Sequence, residues 1–564
     1  MTEAGETTSI ATTTVIDNET GPVADGDTGL NTKEETAKAG KSENRGVAKA
    51  AGVIMIAMFL SRILGFVREQ AMTTQFGRTY ITDAYIAAFS IPDLLYNLLV
   101  GGALSSAFIP VFSSYLAREK EDEAWEVAST VINVAVIGLT IGIILGEYFT
   151  PYLIPIVASQ FHGEKLALTV KLSRIMFPAV LFTGLNGLIM GILNSYKNFA
   201  YPAIGAVVYN IGIIAMGILL GPHIGIAGFS VGVIVGVIGN FLIQFPSLVR
   251  KRKLKYRFVL NLKHPGVKKI GLLMLPAVIG LSVSQVNLLV NQNLASGLTS
   301  GSITALRMAN RLMILPIGIF AYSISAAIFP TLTAQVATGR MDEYKKTFSL
   351  GVRSIIFITI PAAVGLMTLG TPIVRLLFEQ GKFHHADTLA TAAVLFYYSI
   401  GLFAQSAVFV IVRGFYALHD TKTPLKLGLL TIAGNYILNH LLIGYLGARG
   451  LALAYSLTGF MDMTALLFLL RRKVGPIGIR KIVDSVLKIF TAALVMGVSA
   501  YFMAHYFEAF VPVTRKLAQL IEIAGVVGVA AGIYFGVAML FKMEEVDTVL
   551  GIFTKRFKRK KAFA

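Results

Sequence analysis

From residue 46 onward the chain is a near-unbroken series of apolar runs of about 20 residues. A run of that length, wound as a helix, crosses the roughly 30 Å hydrocarbon core of a bilayer. Lipid offers no partner to a free backbone amide, so each run must close its hydrogen bonds within itself. The sequence therefore predicts an all-α integral membrane protein. The runs fall at about 48–74, 82–112, 127–150, 168–195, 202–220, 225–248, 268–297, 303–335, 347–376, 388–417, 424–444, 448–470, 482–505 and 517–541. That makes about 14 transmembrane helices. Only 14% of the residues are charged, about half the share in a soluble chain, so a soluble enzyme and a disordered or fibrous protein are both excluded. There is no cysteine, hence no disulfide, thiolate metal site or cysteine nucleophile.

Charge sets the orientation. Residues 1–45 carry −5, the remainder +24. This first segment has no apolar periodicity and reads as a disordered acidic tail, without the basic start and apolar core of a signal peptide. Gly40-Lys41-Ser42 ends like a phosphate loop, but Glu35 stands where its first glycine belongs. The bases sit in alternate connections. Nine lie in 249–269 with no acid, five in 471–481, and six between Lys555 and Lys561, whereas 221–225 and 297–304 have none. By the positive-inside rule both termini are cytoplasmic. The same pattern accounts for the basicity through membrane lipids and leaves no role for nucleic acid.

The chain also repeats itself. Ala107-Phe108-Ile109-Pro110 is echoed by Ala327-Ile328-Phe329-Pro330, and Asp122-Glu123 by Asp342-Glu343, both 220 residues on; Pro202 is echoed by Pro424 and Gly225–Gly228 by Gly447–Gly450, 222 residues on. An offset of six spans gives two halves of like orientation, related by an axis along the membrane normal. The expected organisation is an N-terminal lobe over 46–248, a basic cytoplasmic loop over 249–267, a C-terminal lobe over 268–471, two further helices within 472–541 and a basic cytoplasmic tail over 542–564.

Charges inside spans are costly and usually face an interior or an aqueous cavity. Arg62, Arg68 and Glu69 lie in the first span, Asp83 and Asp93 in the second, Arg307 and Arg311 in the eighth, Arg353 and Arg375 in the ninth, Arg413 in the tenth and Asp462 in the twelfth. Arginine dominates. Its planar fork suits phosphate, and the competing role is interhelical pairing. Arg62 and Glu69, seven apart, share one helix face. Arg353, Arg375, Arg413 and Glu522 read as structural. His384, His385 and Asp387 read as a solvated external loop. Pro92, Pro110, Pro178, Pro316, Pro330 and Pro361 interrupt spans and are expected to kink them.

Several segments together resemble one family. Ser61-Arg62-Ile63-Leu64-Gly65-Phe66-Val67-Arg68-Glu69, Thr82-Asp83-Ala84-Tyr85, Ile91-Pro92-Asp93-Leu94-Leu95 and Gly102–Pro110 are similar to the first two helices of the MurJ/MviN family, within the MOP superfamily. Ala309-Asn310-Arg311-Leu312, Phe378–Phe383 and Phe415–Pro424 resemble further blocks of it. The likeness runs over about 48–541. It implies a flippase for lipid II, the undecaprenyl-pyrophosphate-linked peptidoglycan precursor, in a bacterial plasma membrane, with membrane lipids and cell-wall synthesis machinery as further partners. It also implies that Arg62, Arg68, Glu69, Asp83 and Arg311 bind substrate. No cofactor is implied beyond sodium or proton coupling, for which Asp420 and Asn291 are the sodium-site candidates. Tyr96-Asn97, Gly101 and Asn310 stand where many members carry charges, so a cavity with fewer charges is implied. Two competing functions remain at this stage: a MATE-type exporter or polysaccharide flippase of the same superfamily, and a membrane scaffold of a cell-wall complex.

Overall fold

The computed structural model describes residues 29–98, 107–252, 254–510 and 515–546. Residues 1–28 of the acidic tail, 547–564 of the basic tail, and Gly101 to Ser106 of the second-helix block lie outside the described residues. The described residues divide into two units, one ending at Met55 and one beginning at Ile56. Helix α1 starts at Gly29, within the segment the sequence reads as a tail, and ends at Phe76. Everything that follows concerns the second unit.

The described residues form helices and no strand. After α1 come α2 (Tyr80–Tyr96), α3 (Ile109–Ala117), α4 (Glu121–Val157), α5 (Gly163–Met176), α6 (Ala179–Ser195), α7 (Ala200–Ile224), α8 (Ala227–Arg252) and α9 (Pro265–Ser296). The chain continues as α10 (Ser302–Pro316), a π-helical turn (Ile317–Ala321), α11 (Tyr322–Ala337), α12 (Met341–Thr368), α13 (Gly370–Phe378), α14 (His385–Ile400) and α15 (Leu402–Ala417). Last are α16 (Lys422–Leu446), α17 (Ala448–Val474), α18 (Ile479–Phe510) and α19 (Lys516–Leu540). Among the described residues nine helices are long and apolar enough to cross a membrane, or eleven if each of two bent pairs counts as one span. The three other expected spans fall on α1, on α2 with α3, and on α9.

Helix starts recur at the offset of the sequence repeat. Helices α2 and α10 begin at Tyr80 and Ser302, α4 and α12 at Glu121 and Met341, α7 and α16 at Ala200 and Lys422, α8 and α17 at Ala227 and Ala448. The bent pairs recur too: α5 meets α6 at 42°, α14 meets α15 at 40°. Pro178 and Gly401 stand at these bends, residues that respectively remove a helix donor and relax the backbone.

Small residues let paired helices touch, as helix association in lipid requires. A side chain on Gly212 of α7 would lie 2.5 Å from the Gly236 Cα of α8. Beneath α3, α4, α6 and α8 a separate apolar cluster buries Phe108, Phe112, Trp125, Leu193 and Leu248.

Candidate functional site

Helices α1, α2, α6, α7, α8 and α10 enclose a cavity of about 640 Å3. Its walls come from both halves of the repeat. From α1 it takes Ser61, Arg62, Gly65 and Arg68, from α2 Phe89 and Asp93, from α10 Arg307 and Arg311. Helices α6, α7 and α8 supply the amides Asn186, Asn210 and Asn240.

The charges converge on Glu69, which is 3% exposed. One of its oxygens, Oε1, lies 3.2 Å from Arg68 Nη2, 3.4 Å from Arg307 Nε and 3.4 Å from Arg311 Nη2. Arg311 Nη1 also donates to the Gly65 carbonyl at 3.3 Å. A Cβ on residue 65 would lie 3.2 Å from that nitrogen and press on the guanidinium. Phe89 is flanked by Arg68 and Arg307, whose guanidinium carbons lie 5.9 and 5.6 Å from its ring centre. Arg62 is exposed to the cavity, near Gly318. Four guanidiniums therefore face two carboxylates, Glu69 and Asp93, and the site keeps an excess of two positive charges. In a low-dielectric surrounding that excess attracts an anion strongly. The guanidinium forks are shaped for phosphate oxygens.

Asp83, expected beside these arginines, is elsewhere. It is 1% exposed and does not line the cavity. Its Oδ2 accepts from the Gly301 amide at 2.7 Å; its Oδ1 accepts from the Thr304 amide at 2.9 Å and the Thr304 hydroxyl at 2.8 Å. Lys165 Nζ stands 3.6 Å away. The carboxylate of α2 thus caps the N-terminus of α10, where unpaired amides and the helix dipole favour a negative charge. Arg78 pairs with Asp387 at 3.0 Å, and the Lys382 amide donates to the Thr74 carbonyl at 2.9 Å. Asp83, Arg78 and Thr74 belong to the first half of the repeat and their partners to the second. All of these contacts lie at the ends of helices away from the basic connections. Asp387, read as part of a solvated loop, is in fact half of this tie.

The two sodium candidates do not come together. Asp420 Oδ2 lies 2.6 Å from Lys473 Nζ, and its two oxygens accept from the Thr423 amide and hydroxyl at 3.0 and 2.8 Å. Partial burial works to raise its pKa, but the ammonium and the Thr423 donors prevail and hold it at about 2. It is a capping carboxylate for α16, already neutralised by a lysine. Asn291 accepts from Asn439 Nδ2 at 2.6 Å. Asn439 lies about 25 Å up α16 from Lys422 at the helical rise per residue. Asn291 is linked through Asn439 and Asn435 to Thr458, a set of neutral groups with no carboxylate. A sodium ion would find competing ammonium at one position and only neutral donors at the other, so no transport step is routed through it. No cluster of three metal-ligating His, Cys, Asp or Glu side chains occurs among the described residues.

Two of the remaining span arginines are ion-paired. Arg353 bonds Glu545 at 2.8 Å and Glu544 at 3.0 Å. Arg375 pairs with Glu508, and with Glu522 at 3.4 Å. Arg413 lies 5.4 Å from the Phe329 ring centre. These tie α18, α19 and the segment after α19 to the second half. Arg307, named as a span charge but not among the expected substrate ligands, also lines the cavity; its spacing of four from Arg311 puts both on one helix face, and that was the available signal.

A sequence profile described as lipid II flippase MurJ matches residues 72–520. The lipid II flippase MurJ of Burkholderia cenocepacia is 31% identical over 490 residues, covering 85% of this chain and 94% of that protein. A probable lipid II flippase MurJ of Vibrio cholerae is 33% identical over 428 residues, 74% of this chain and 81% of that one. A solved structure titled "Lipid II flippase MurJ, inward closed conformation" superposes with a TM-score of 0.72 at 30% identity, covering 86% of this chain and 98% of its own. An inward-facing MATE multidrug transporter of the MOP superfamily reaches 0.64 at 13% identity, covering 75% and 98%, a likeness of fold alone.

Proposed function

We propose that this chain, which belongs to the MurJ family of lipid II flippases, moves lipid II across the bacterial inner membrane for peptidoglycan synthesis. It is a transporter, not an enzyme, since no bond of the substrate is made or broken. The observation that carries the site reading is the excess of arginine over carboxylate in a cavity walled by both halves. Lipid II presents a pyrophosphate at the junction of its polar head and prenyl tail. Arg62, Arg68, Arg307 and Arg311 neutralise that group, and the amides of Asn186, Asn210 and Asn240 face the sugar–peptide head. The prenyl tail stays in lipid. Rocking of the two halves then transfers the head to the other side.

A cation exporter of the MATE type would place its excess of charge the other way, with acids to hold a cationic drug, which speaks against that reading. A scaffold role would leave the cavity arginines dispensable. The test is rescue of a bacterium depleted of its own flippase, read as lipid II accessible in the outer leaflet. Rescue with restored accessibility is expected. Insertion at normal abundance without accessible lipid II overturns the assignment.

Fourteen spans with both termini cytoplasmic remain our topology, supported by the alternation of basic and base-free connections. In a chain without native cysteine, Ser300→Cys should react with an impermeant thiol reagent in whole cells, and Lys263→Cys should not. Labelling at 263 from outside inverts the orientation.

A further inference from the structure

The connection between α8 and α9 is strapped to α4 rather than hanging free. Lys255 Nζ pairs with Asp122 at 2.7 Å. The Arg257 amide donates to Ser129 Oγ at 3.1 Å, and Tyr256 Oη donates to Asn133 Oδ1 at 2.6 Å. Asn133 Nδ2 in turn donates to the carbonyls of Val259 at 3.0 Å and Arg257 at 3.4 Å. Asn261 Nδ2 returns to Glu126 Oε1 at 2.8 Å. The segment therefore climbs α4 from Asp122 to Asn133, about 17 Å at the helical rise, and turns back toward Glu126. Its apex is at 257–259.

That apex sits at a defined level. No ionisable residue occurs on α4 between Glu126 and Glu147. Immediately past Asn133 begins an exposed apolar stripe, Val134, Ile137, Ile141 and Ile144, the lipid-facing side of the span. At the apex Phe258 is 78% exposed, with Tyr256, Leu260 and Leu262 also exposed. An apolar row of this kind is unfavourable against water. The charges within the segment are all basic, Lys255, Arg257 and Lys263, and no acid occurs from 249 to 269; Asp122 of α4 takes up Lys255, which leaves Arg257 and Lys263 for an outside anion. Exposed apolar residues interleaved with bases, starting where the lipid-facing stripe starts, match the boundary between acyl chains and anionic headgroups.

We propose that residues 255–263 form a membrane-interface anchor. Phe258 enters the acyl–headgroup boundary, flanked by Leu260 and Leu262, and Arg257 and Lys263 bind the phosphates of anionic phospholipid. The occupant is the lipid surface on the side of the basic connections. Because the segment both grips α4 and joins the two halves, it holds that end of the first half at a fixed depth.

The test uses the full chain with Phe258→Cys carrying an environment-sensitive fluorophore, reconstituted in vesicles with and without phosphatidylglycerol. Leu260→Cys serves as a second site. Tyr148→Cys, on the exposed side of α4, and Ser300→Cys, in an external connection, mark lipid and water. With phosphatidylglycerol, emission at 258 should shift to the blue, be quenched by a headgroup-level nitroxide lipid, and be shielded several-fold from iodide present on both faces. Arg257→Gln with Lys263→Gln should remove most of that shielding. If positions 258 and 260 are quenched by iodide as strongly as 300 while 148 is quenched from lipid, the segment faces water or awaits a protein, and the anchor is wrong. The readout does not depend on transport, so failure of the flippase assignment leaves it standing.

Discussion

Arg311→Ala and Arg68→Ala each reduce lipid II exposure at the outer leaflet to near the depleted background, while the protein inserts and accumulates normally. A hydrogen bond to a charged group contributes about 1.5–3 kcal/mol, so losing one guanidinium from a pyrophosphate site weakens binding roughly ten- to a hundredfold. Lysine at either position recovers only part of the activity, because it keeps the charge and loses the fork. The rival explanation is an orphaned charge: Arg68 touches Glu69 at 3.2 Å, and its removal could harm the protein through that carboxylate. The variant Arg68→Ala with Glu69→Ala separates them. A double mutant that remains inactive supports phosphate binding, and one that recovers full lipid II exposure makes Arg68 a support for Glu69. Asp83 drops out of this comparison, since its partners are Gly301, Thr304 and Lys165. Full activity in both single alanine variants removes the arginine cavity from the mechanism.

The second large effect is expected at Asp83. Asp83→Ala leaves two amides at the start of α10 without partners when the halves are together, at a cost of about 1–3 kcal/mol each. Once the halves part, water can satisfy both. The balance moves toward the parted state, roughly a hundredfold for about 3 kcal/mol. Spin labels at Tyr80 and Ser300, one in each half, should report a new long-distance population. Asp83→Asn should give a smaller shift, because the amide can accept from one of the two donors. An unchanged single distance with full transport in Asp83→Ala would show that this contact does not hold the two halves.

Much of the architecture was legible because a bilayer permits so few solutions. Among the described residues, nine helices and two bent pairs long and apolar enough to cross a membrane fall on expected runs, and the offset read from four short echoes reappears in the helix starts. Breaks within runs were less legible. Pro178 marks one bend, but the other falls at Gly401, and the π-helical turn at Ile317–Ala321 follows Pro316 inside a run that reads as one helix. For the site, burial cost pointed to arginines within spans, four of which line the cavity, and helical spacing put Arg62, Arg68 and Glu69 near one another. What spacing could not reveal is partnership across the repeat. Asp83 and Thr304 are 221 residues apart, Asp420 and Lys473 53 apart. A carboxylate that caps a distant helix looks, in one dimension, like a carboxylate that waits for a ligand. Asp83 is such a carboxylate, whereas Asp420 caps its own helix and pairs with Lys473.

The crowding of Arg68, Arg307 and Arg311 on a single oxygen of Glu69 has a consequence for how cargo enters and leaves. On the proposed reading Glu69 stands in the place of the substrate anion. It keeps three mutually repelling cations poised, so their forks would need little rearrangement when a diphosphate arrives. The newcomer takes donors from a competitor rather than finding them idle, which moderates its affinity. At the far side the same competitor reclaims them, and a carrier that must let go on every cycle has its release built into its capture.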